Sequence, residues 1–250
     1  MNKIYTLSLT SLFATLALSS SPAAADPTNH LGWAQLMVDT IDPANNTYDT
    51  SPTTVEWAGY NGATLTENRS KCSPFLTHVF NQSYDVTFST WMGCNSPIAM
   101  TWHDQIEAEN QFERITHVTD IAAGDIIAIS YDNDGCTNVT CSSFSTCSSS
   151  GHVMIVKSAP TSRTATSPII SGTTQYAVVV IDSSASYHGS GDTRYQAEAG
   201  GGHDSGVGEG TFRLYADSNG EIEGYSWSTV SGSTHYNMNS RHLVVGRYTP

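Results

Sequence analysis

Positive charge is what this sequence has least of: 10 Lys and Arg stand against 23 Asp and Glu in 250 residues, a net charge of −13 with histidine neutral. That balance repels nucleic acid and anionic membrane surfaces, so neither is an expected partner. Charge of either sign is sparse, at 13% of residues. Such a composition suits an exported, turn-rich protein and leaves its chemistry open. No apolar run reaches the roughly 20 residues that a membrane-spanning helix needs. There is also no internal repeat and no linker rich enough to separate two domains.

The nearest approach to a spanning segment, Ile4 to Leu18, follows Lys3 and precedes Ala23 and Ala25. A positive start, a short apolar stretch and small residues before Asp26 together predict a cleavable secretory signal peptide over residues 1–25. The expected location is therefore secreted or periplasmic, with no membrane anchor after cleavage. Removing one Lys and no acid leaves the mature chain at −14. Residues 26–250 are expected to form one domain, long enough to bury a core without depending on disulfides.

Five cysteines lie in that domain: Cys72, Cys94, Cys136, Cys141 and Cys147. An odd number in an oxidising compartment leaves one thiol unpaired or paired between chains. Cys136, Cys141 and Cys147 are close enough for short-range bridging, and Cys94 can take the remaining partner, which leaves Cys72. Counting alone also allows Cys72 to be bridged and another cysteine to be the spare.

Helical spacing of Trp33, Leu36, Met37 and Ile41 after Thr28 and Asn29 predicts a first helix. Phe75, Leu76, Val79 and Phe80, with Pro74 near the start, predict a buried second one just after Cys72. A third is expected around His103 to Phe112. After Gly124 the pattern changes to short β-branched runs, Ile126–Tyr131, His152–Lys157, Ala177–Asp182, Phe212–Tyr215, Ile222–Trp227 and Leu243–Tyr248, with Asp217-Ser218-Asn219-Gly220 as a hairpin turn. Helices first and an antiparallel sheet afterwards predict an α+β domain.

A thiol at the start of a buried helix meets the positive end of the helix, which favours the nucleophilic thiolate. Cys72 has that position, but a nucleophile also needs a base and a group to orient the base. There are nine histidines, so presence alone means little. His152 stands out because it opens the strand-like run Gly151-His152-Val153-Met154-Ile155-Val156. Asp182 closes the next one, Ala177-Val178-Val179-Val180-Ile181-Asp182, where a carboxylate is out of place unless paired.

Three blocks in order, Lys71-Cys72-Ser73-Pro74-Phe75-Leu76, Ala123-Gly124-Asp125-Ile126-Ile127-Ala128 and Gly151-His152-Val153-Met154-Ile155-Val156, resemble the NlpC/P60 family of papain-like cysteine peptidases. The resemblance spans roughly residues 55 to 185. It implies a papain-like fold with N-terminal helices on an antiparallel sheet, Cys72 as nucleophile, His152 as base and Asp182 as orienting residue. It also implies a substrate, the peptide part of cell-wall peptidoglycan or another peptide. Lys71 and Pro74 depart from the family's usual Asp and Gly. Family members often carry an aromatic and glycine segment before the Cys, whose Tyr helps the oxyanion site; Trp57-Ala58-Gly59-Tyr60-Asn61-Gly62 occupies that region, which makes Tyr60 a substrate-binding candidate, with a packing aromatic as the alternative.

The polar segment Tyr187 to Arg194 suits a cleft-lining loop, with His188 and Arg194 as substrate-binding candidates and Trp227 as an apolar wall. A structural ion pair is the competing role for Arg194. No metal and no cofactor are expected. Asp132-Asn133-Asp134-Gly135 and Asp217-Ser218-Asn219-Gly220 lack the ligand positions of a calcium loop, and His188, His203 and Asp204 follow no zinc-ligand spacing. The expected activity is a cysteine hydrolase acting on amide bonds. An acyltransferase or protein-directed peptidase on the same triad is the alternative among enzymes, and a non-catalytic exported binding module is the alternative outside them.

Overall fold

The computed structural model describes residues 27–131, 135–196 and 202–250. The signal-peptide expectation for residues 1–25 and the first three residues of the Asp132 turn lie outside them.

Helix α1 (His30–Thr40) starts where expected, because the Asn29 side chain accepts the Gly32 N–H at 2.9 Å and satisfies a first-turn donor. It buries Trp33, Ala34 and Met37. Helix α2 (Cys72–Ser83) opens on Cys72 itself and buries Phe75, Leu76, Val79 and Phe80. A four-residue helix, α3 (Phe88–Trp91), and α4 (Ala99–Glu107) follow. The third predicted helix thus begins earlier and ends before Phe112, which belongs to a strand.

The strands are β1 (Asn46–Thr47), β2 (Thr54–Glu56), β3 (Glu67–Arg69), β4 (Phe112–Ile115), β5 (Ile126–Ser130), β6 (Gly151–Ser162), β7 (Thr174–Ser184), β8 (Tyr195–Gln196), β9 (Gly202–His203), β10 (Gly206–Ala216), β11 (Ile222–Ser226), β12 (His235–Asn237) and β13 (Leu243–Tyr248). Eight of them form one antiparallel sheet in the order β12-β11-β10-β7-β6-β5-β13-β4. A second, three-stranded sheet has the order β1-β3-β2, with β1 and β3 parallel.

Strand accounts for about 34% of the described residues and helix for about 19%. That balance corrects the expected α+β, papain-like architecture: the protein is mostly β, built on the eight-stranded sheet. Two features hidden from periodicity make the difference. The polar end of β6, Lys157 to Ser162, and the glycine-rich start of β10, Gly206-Val207-Gly208-Glu209-Gly210, lack a strand pattern, yet both pair with β7. Short strands before α2 add to the sheet content.

Each face of the large sheet carries its own core. Alternate residues such as Ile126, Ala128, Val153, Ile155 and Ile181 pack with α1, α2 and α4 through Trp33, Phe75, Phe80 and Trp102. The other parity, Ile127, Ile129, Met154, Val156, Val178 and Val180, packs with Phe212, Leu214 and Tyr225. The Asp217 turn joins β10 to β11 as predicted, its Oδ1 accepting the N–H groups of Asn219 (2.8 Å) and Glu221 (2.9 Å). Disulfides link Cys94 to Cys141 and Cys136 to Cys147, and Cys72 is free. Two disulfides fit an oxidising compartment. Among the described residues, no helix is long and apolar enough to cross a membrane.

Candidate active site

The pairing of β6 with β7 aligns Ile155 with Ile181 and Val156 with Val180. Continuing that register places His152 and Asp182 on one face as diagonal neighbours, within side-chain reach. His152 Nε2 donates to Asp182 Oδ2 at 2.6 Å, and the two residues are 5% and 1% exposed. Gly151 sets the entry to this strand: at φ +138°, an added Cβ would lie 1.9 Å from the Ile129 carbonyl oxygen. Only glycine fits immediately before His152.

Cys72, 5% exposed, meets the pair where β6 begins. Its sulfur accepts from the Val153 backbone N–H and interacts with the His152 imidazole by charge and by hydrogen bond. With Nε2 engaged by Asp182, Nδ1 is the ring nitrogen left for sulfur. The structure therefore brings Cys72, His152 and Asp182 into one chain of contacts.

The electrostatics favour separated charge along that chain. Burial alone would push the Cys72 thiol up, but the His152 imidazole and the Val153 N–H outweigh it and hold the thiol below its ordinary value. Burial would lower the His152 imidazole, whereas the negative charge of Cys72 and the bonds to Asp182 and Cys72 raise it to about 10. Asp182 would be raised by burial, yet Arg194 and His188 hold its carboxyl well below the usual carboxylate range, with the His152 bond helping.

His188 and Arg194 thus belong to the interior behind Asp182. Arg194 Nη2 donates to Asp182 Oδ1 at 2.9 Å, Nε to Asp192 Oδ1 at 2.9 Å and Nη1 to the Gly206 carbonyl at 3.0 Å. The competing role of a structural ion pair describes where it sits. His188 Nδ1 donates to the Trp227 carbonyl (2.6 Å), and its Nε2 lies 3.2 Å from Asp182 Oδ2. The Trp227 ring stacks on His188 with centroids 4.5 Å apart and turns its edge to His152 at 4.8 Å, so it roofs the His152–Asp182 pair.

The loop carrying these groups can lie against the sheet because β10 is bare beneath it. Gly208 pairs with Asp182 and Gly210 with Val180. A Cβ on Gly208 would meet Arg194 Nε at 2.5 Å, and one on Gly210 would meet Asp192 Oδ2 at 2.3 Å.

Tyr60 lies elsewhere, edge-on to Trp33 with centroids 4.7 Å apart, in a groove shared with Trp57, His78 and Gln82. The tyrosine at the thiol is Tyr48. Its hydroxyl hydrogen-bonds Cys72, and burial followed by the negative charge of Cys72 and Asp182 raises its phenol. Parallel pairing of Thr47 with Arg69 brings it there, and the Ser70 N–H bonds the Thr47 carbonyl at 3.3 Å. No periodic pattern marks a two-residue strand, so the sequence carried no signal for Tyr48.

Cys72, Tyr48 and Gly151 line a cleft of about 510 Å³ with Lys71, Pro97, Ile98, Phe144 and several Ser and Thr residues. Both disulfides anchor its far wall. The Cys141 carbonyl accepts the Ile98 N–H at 3.0 Å and the Thr101 hydroxyl at 2.9 Å. The Cys136–Cys147 link closes the loop that presents Phe144. A larger groove of about 930 Å³, lined by Tyr84, Trp91 and Tyr248, lies at the other end of α2, roughly 17 Å away at 1.5 Å per residue. It joins no nucleophile to a base, so the smaller cleft is the candidate site.

Asp125 of the second sequence block is structural: Arg247 Nε and Nη2 donate to its carboxylate at 2.9 and 3.0 Å. No family model matches the sequence, and no solved structure matches it. Among curated proteins the chain is similar to "Uncharacterized protein R653" of Acanthamoeba polyphaga mimivirus, 27% identical over 229 residues that cover 88% of this chain and 96% of that protein.

Proposed function

We propose that this chain is an exported cysteine hydrolase that cleaves amide bonds through an acyl-enzyme on Cys72. The observation that carries the proposal is an unbridged cysteine at a helix start, hydrogen-bonded to a histidine whose other nitrogen meets a buried carboxylate. The Cys72 thiolate attacks the amide carbonyl carbon and forms a C–S bond. The tetrahedral oxyanion collapses with loss of the C–N bond, and the His152 imidazolium gives its proton to the departing amine. A water then attacks the thioester as neutral His152 takes its proton, releasing the carboxylic acid and regenerating the thiolate–imidazolium pair.

Two donors suit the oxyanion. The backbone N–H of Cys72 is one of the first-turn groups that an α-helix leaves unsatisfied, and the Tyr48 hydroxyl faces the same sulfur. Asp182 keeps the imidazole oriented, with Arg194 and His188 keeping Asp182 ionised. The NlpC/P60 resemblance of the Cys72 and His152 blocks makes peptidoglycan stem peptides the proposed substrate, and the largely uncharged Ser- and Thr-lined cleft has room for a short peptide.

The test is incubation of purified protein and its Cys72→Ala variant with peptidoglycan, followed by mass analysis of soluble fragments. Fragments with new peptide termini from the wild type alone support the proposal. Equal release by both proteins eliminates the thiol mechanism, and absence of release from peptidoglycan by the wild type eliminates the substrate.

A further inference from the structure

On the far side of α4 from the cleft wall, two histidines and a glutamate converge. His103 and Glu107 are four residues apart on α4 and so project from one face. His242 stands just before β13, fixed by its carbonyl, which accepts the Ser130 N–H at 2.8 Å. Nε2 of His103 lies 2.9 Å from Nδ1 of His242, and Glu107 Oε1 lies 3.9 Å from that same Nδ1. Each residue offers one ligand atom, and the three atoms fall within 4.8 Å of one another.

The buried His103 ring is already set for coordination. Its Nδ1 donates to Asp104 Oδ1 at 3.1 Å, which leaves the Nε2 lone pair aimed at His242. A carboxylate behind an imidazole is the outer-sphere arrangement that orients metal-binding histidines and raises their basicity. We propose that His103, Glu107 and His242 bind one divalent transition cation of the Zn²⁺ class, with a water as fourth ligand.

The change of geometry falls mainly on the Glu107 side chain. Ligand distances near 2.0–2.1 Å in a tetrahedral site separate neighbouring donor atoms by about 3.3 Å. The imidazole nitrogens must therefore open by a few tenths of an ångström from 2.9 Å, and Glu107 must close on His242 from 3.9 Å; His103 Nε2 and the Glu107 carboxylate, within 4.8 Å of each other, close by the swing of the half-exposed Glu107 side chain. Without a cation the two imidazoles share a hydrogen bond between His103 Nε2 and His242 Nδ1; with one, His242 carries its proton on Nε2 and gives the Nδ1 lone pair to the metal. Among the described residues, Asp104, Glu107 and Arg114 are charged groups at the site. The Arg114–Glu107 contact, at 3.6 Å between half-exposed side chains, is weak competition. Two imidazoles and a single carboxylate favour Zn²⁺ over Ca²⁺ or Mg²⁺. A bound cation would tie α4 to the start of β13, two elements that otherwise meet through Ile106 and its neighbours in the core.

The experiment is titration of Cys72→Ala protein with ZnCl2 by calorimetry, with Co²⁺ absorbance as a second probe; the substitution removes the thiol as a competing zinc ligand. The expected result is one equivalent bound with a tetrahedral Co²⁺ spectrum. Adding Glu107→Gln, an exposed change that leaves folding intact, or His242→Gln is expected to weaken binding at least about tenfold, and adding Asp104→Asn about 10–100-fold. Absence of stoichiometric binding, or affinity unchanged in both Glu107→Gln and His242→Gln, overturns the proposal and leaves a hydrogen-bonded histidine pair.

Discussion

Arg194 Nη2 lies 2.9 Å from Asp182 Oδ1, and both side chains are almost completely buried, so the carboxylate that orients His152 is itself held ionised from behind. Removing one partner of a buried pair strands the other charge. Arg194→Met is expected to cost about 3–5 kcal/mol in urea denaturation. The pH dependence follows from the depressed Asp182 carboxyl. Its contribution is present above the unfolded carboxylate value near 3.9 and is lost as pH falls through the lower folded value. Acid unfolding of the variant should therefore begin at higher pH than in the wild type.

Tyr48→Phe removes one hydroxyl from the thiol and leaves the ring in place. If that hydroxyl serves the oxyanion, kcat falls by about 10²–10³ with KM nearly unchanged. Tyr60→Phe, in the groove with Trp57 and His78, should leave both constants as they are. Steady-state kinetics on any cleaved peptide separates the two tyrosines.

Gly208→Ala places a methyl where Arg194 Nε lies 2.5 Å from the ideal Cβ position. The loop bearing His188, Asp192 and Arg194 must then lift from β10. Expected are a stability loss of about 1–3 kcal/mol and a smaller kcat, read by denaturation and kinetics. Gly191→Ala, with open space around its Cβ, is the neutral control.

The Cys94–Cys141 disulfide closes 47 residues and hooks the cleft wall to α4. In the chain-entropy account, a loop of that length stabilises by about 4 kcal/mol and the Cys136–Cys147 loop by about 3 kcal/mol. Replacing Cys94 and Cys141 together by Ala should lower the urea midpoint more than replacing Cys136 and Cys147, and should also raise KM.

The parts of this arrangement legible in the sequence are those set by element boundaries. Cys72 opens α2, His152 follows the glycine that opens β6, and Asp182 ends an apolar run, so each interrupts a pattern. Cys72 was also the cysteine left over after short-range pairing. What was hidden depends on tertiary pairing. Tyr48 arrives through a two-residue parallel strand with no periodicity, and the role of Gly208 and Gly210 appears only once a loop is seen resting on them. Arg194 was legible as a cation among acids, but nothing local selects Asp182 and Asp192 over other partners. The α+β expectation fails for a related reason: β10 starts in a glycine-rich stretch, and β6 ends in a polar one, so the sheet is larger than its apolar runs.

The most direct measurement is a pH titration of the Cys72 thiolate, by ultraviolet absorbance and by iodoacetamide alkylation rate, in wild type and His152→Ala. With Cys72 lowered and His152 raised to about 10, the thiolate should persist below the free-cysteine value near 8.5. The imidazolium partner should be lost only as pH rises through about 10, and His152→Ala should move the thiol above 8.5 because burial and the Asp182 charge are then opposed only by the Val153 N–H. A wild-type thiol that titrates at or above the free-cysteine value, unchanged by His152→Ala, would contradict the account.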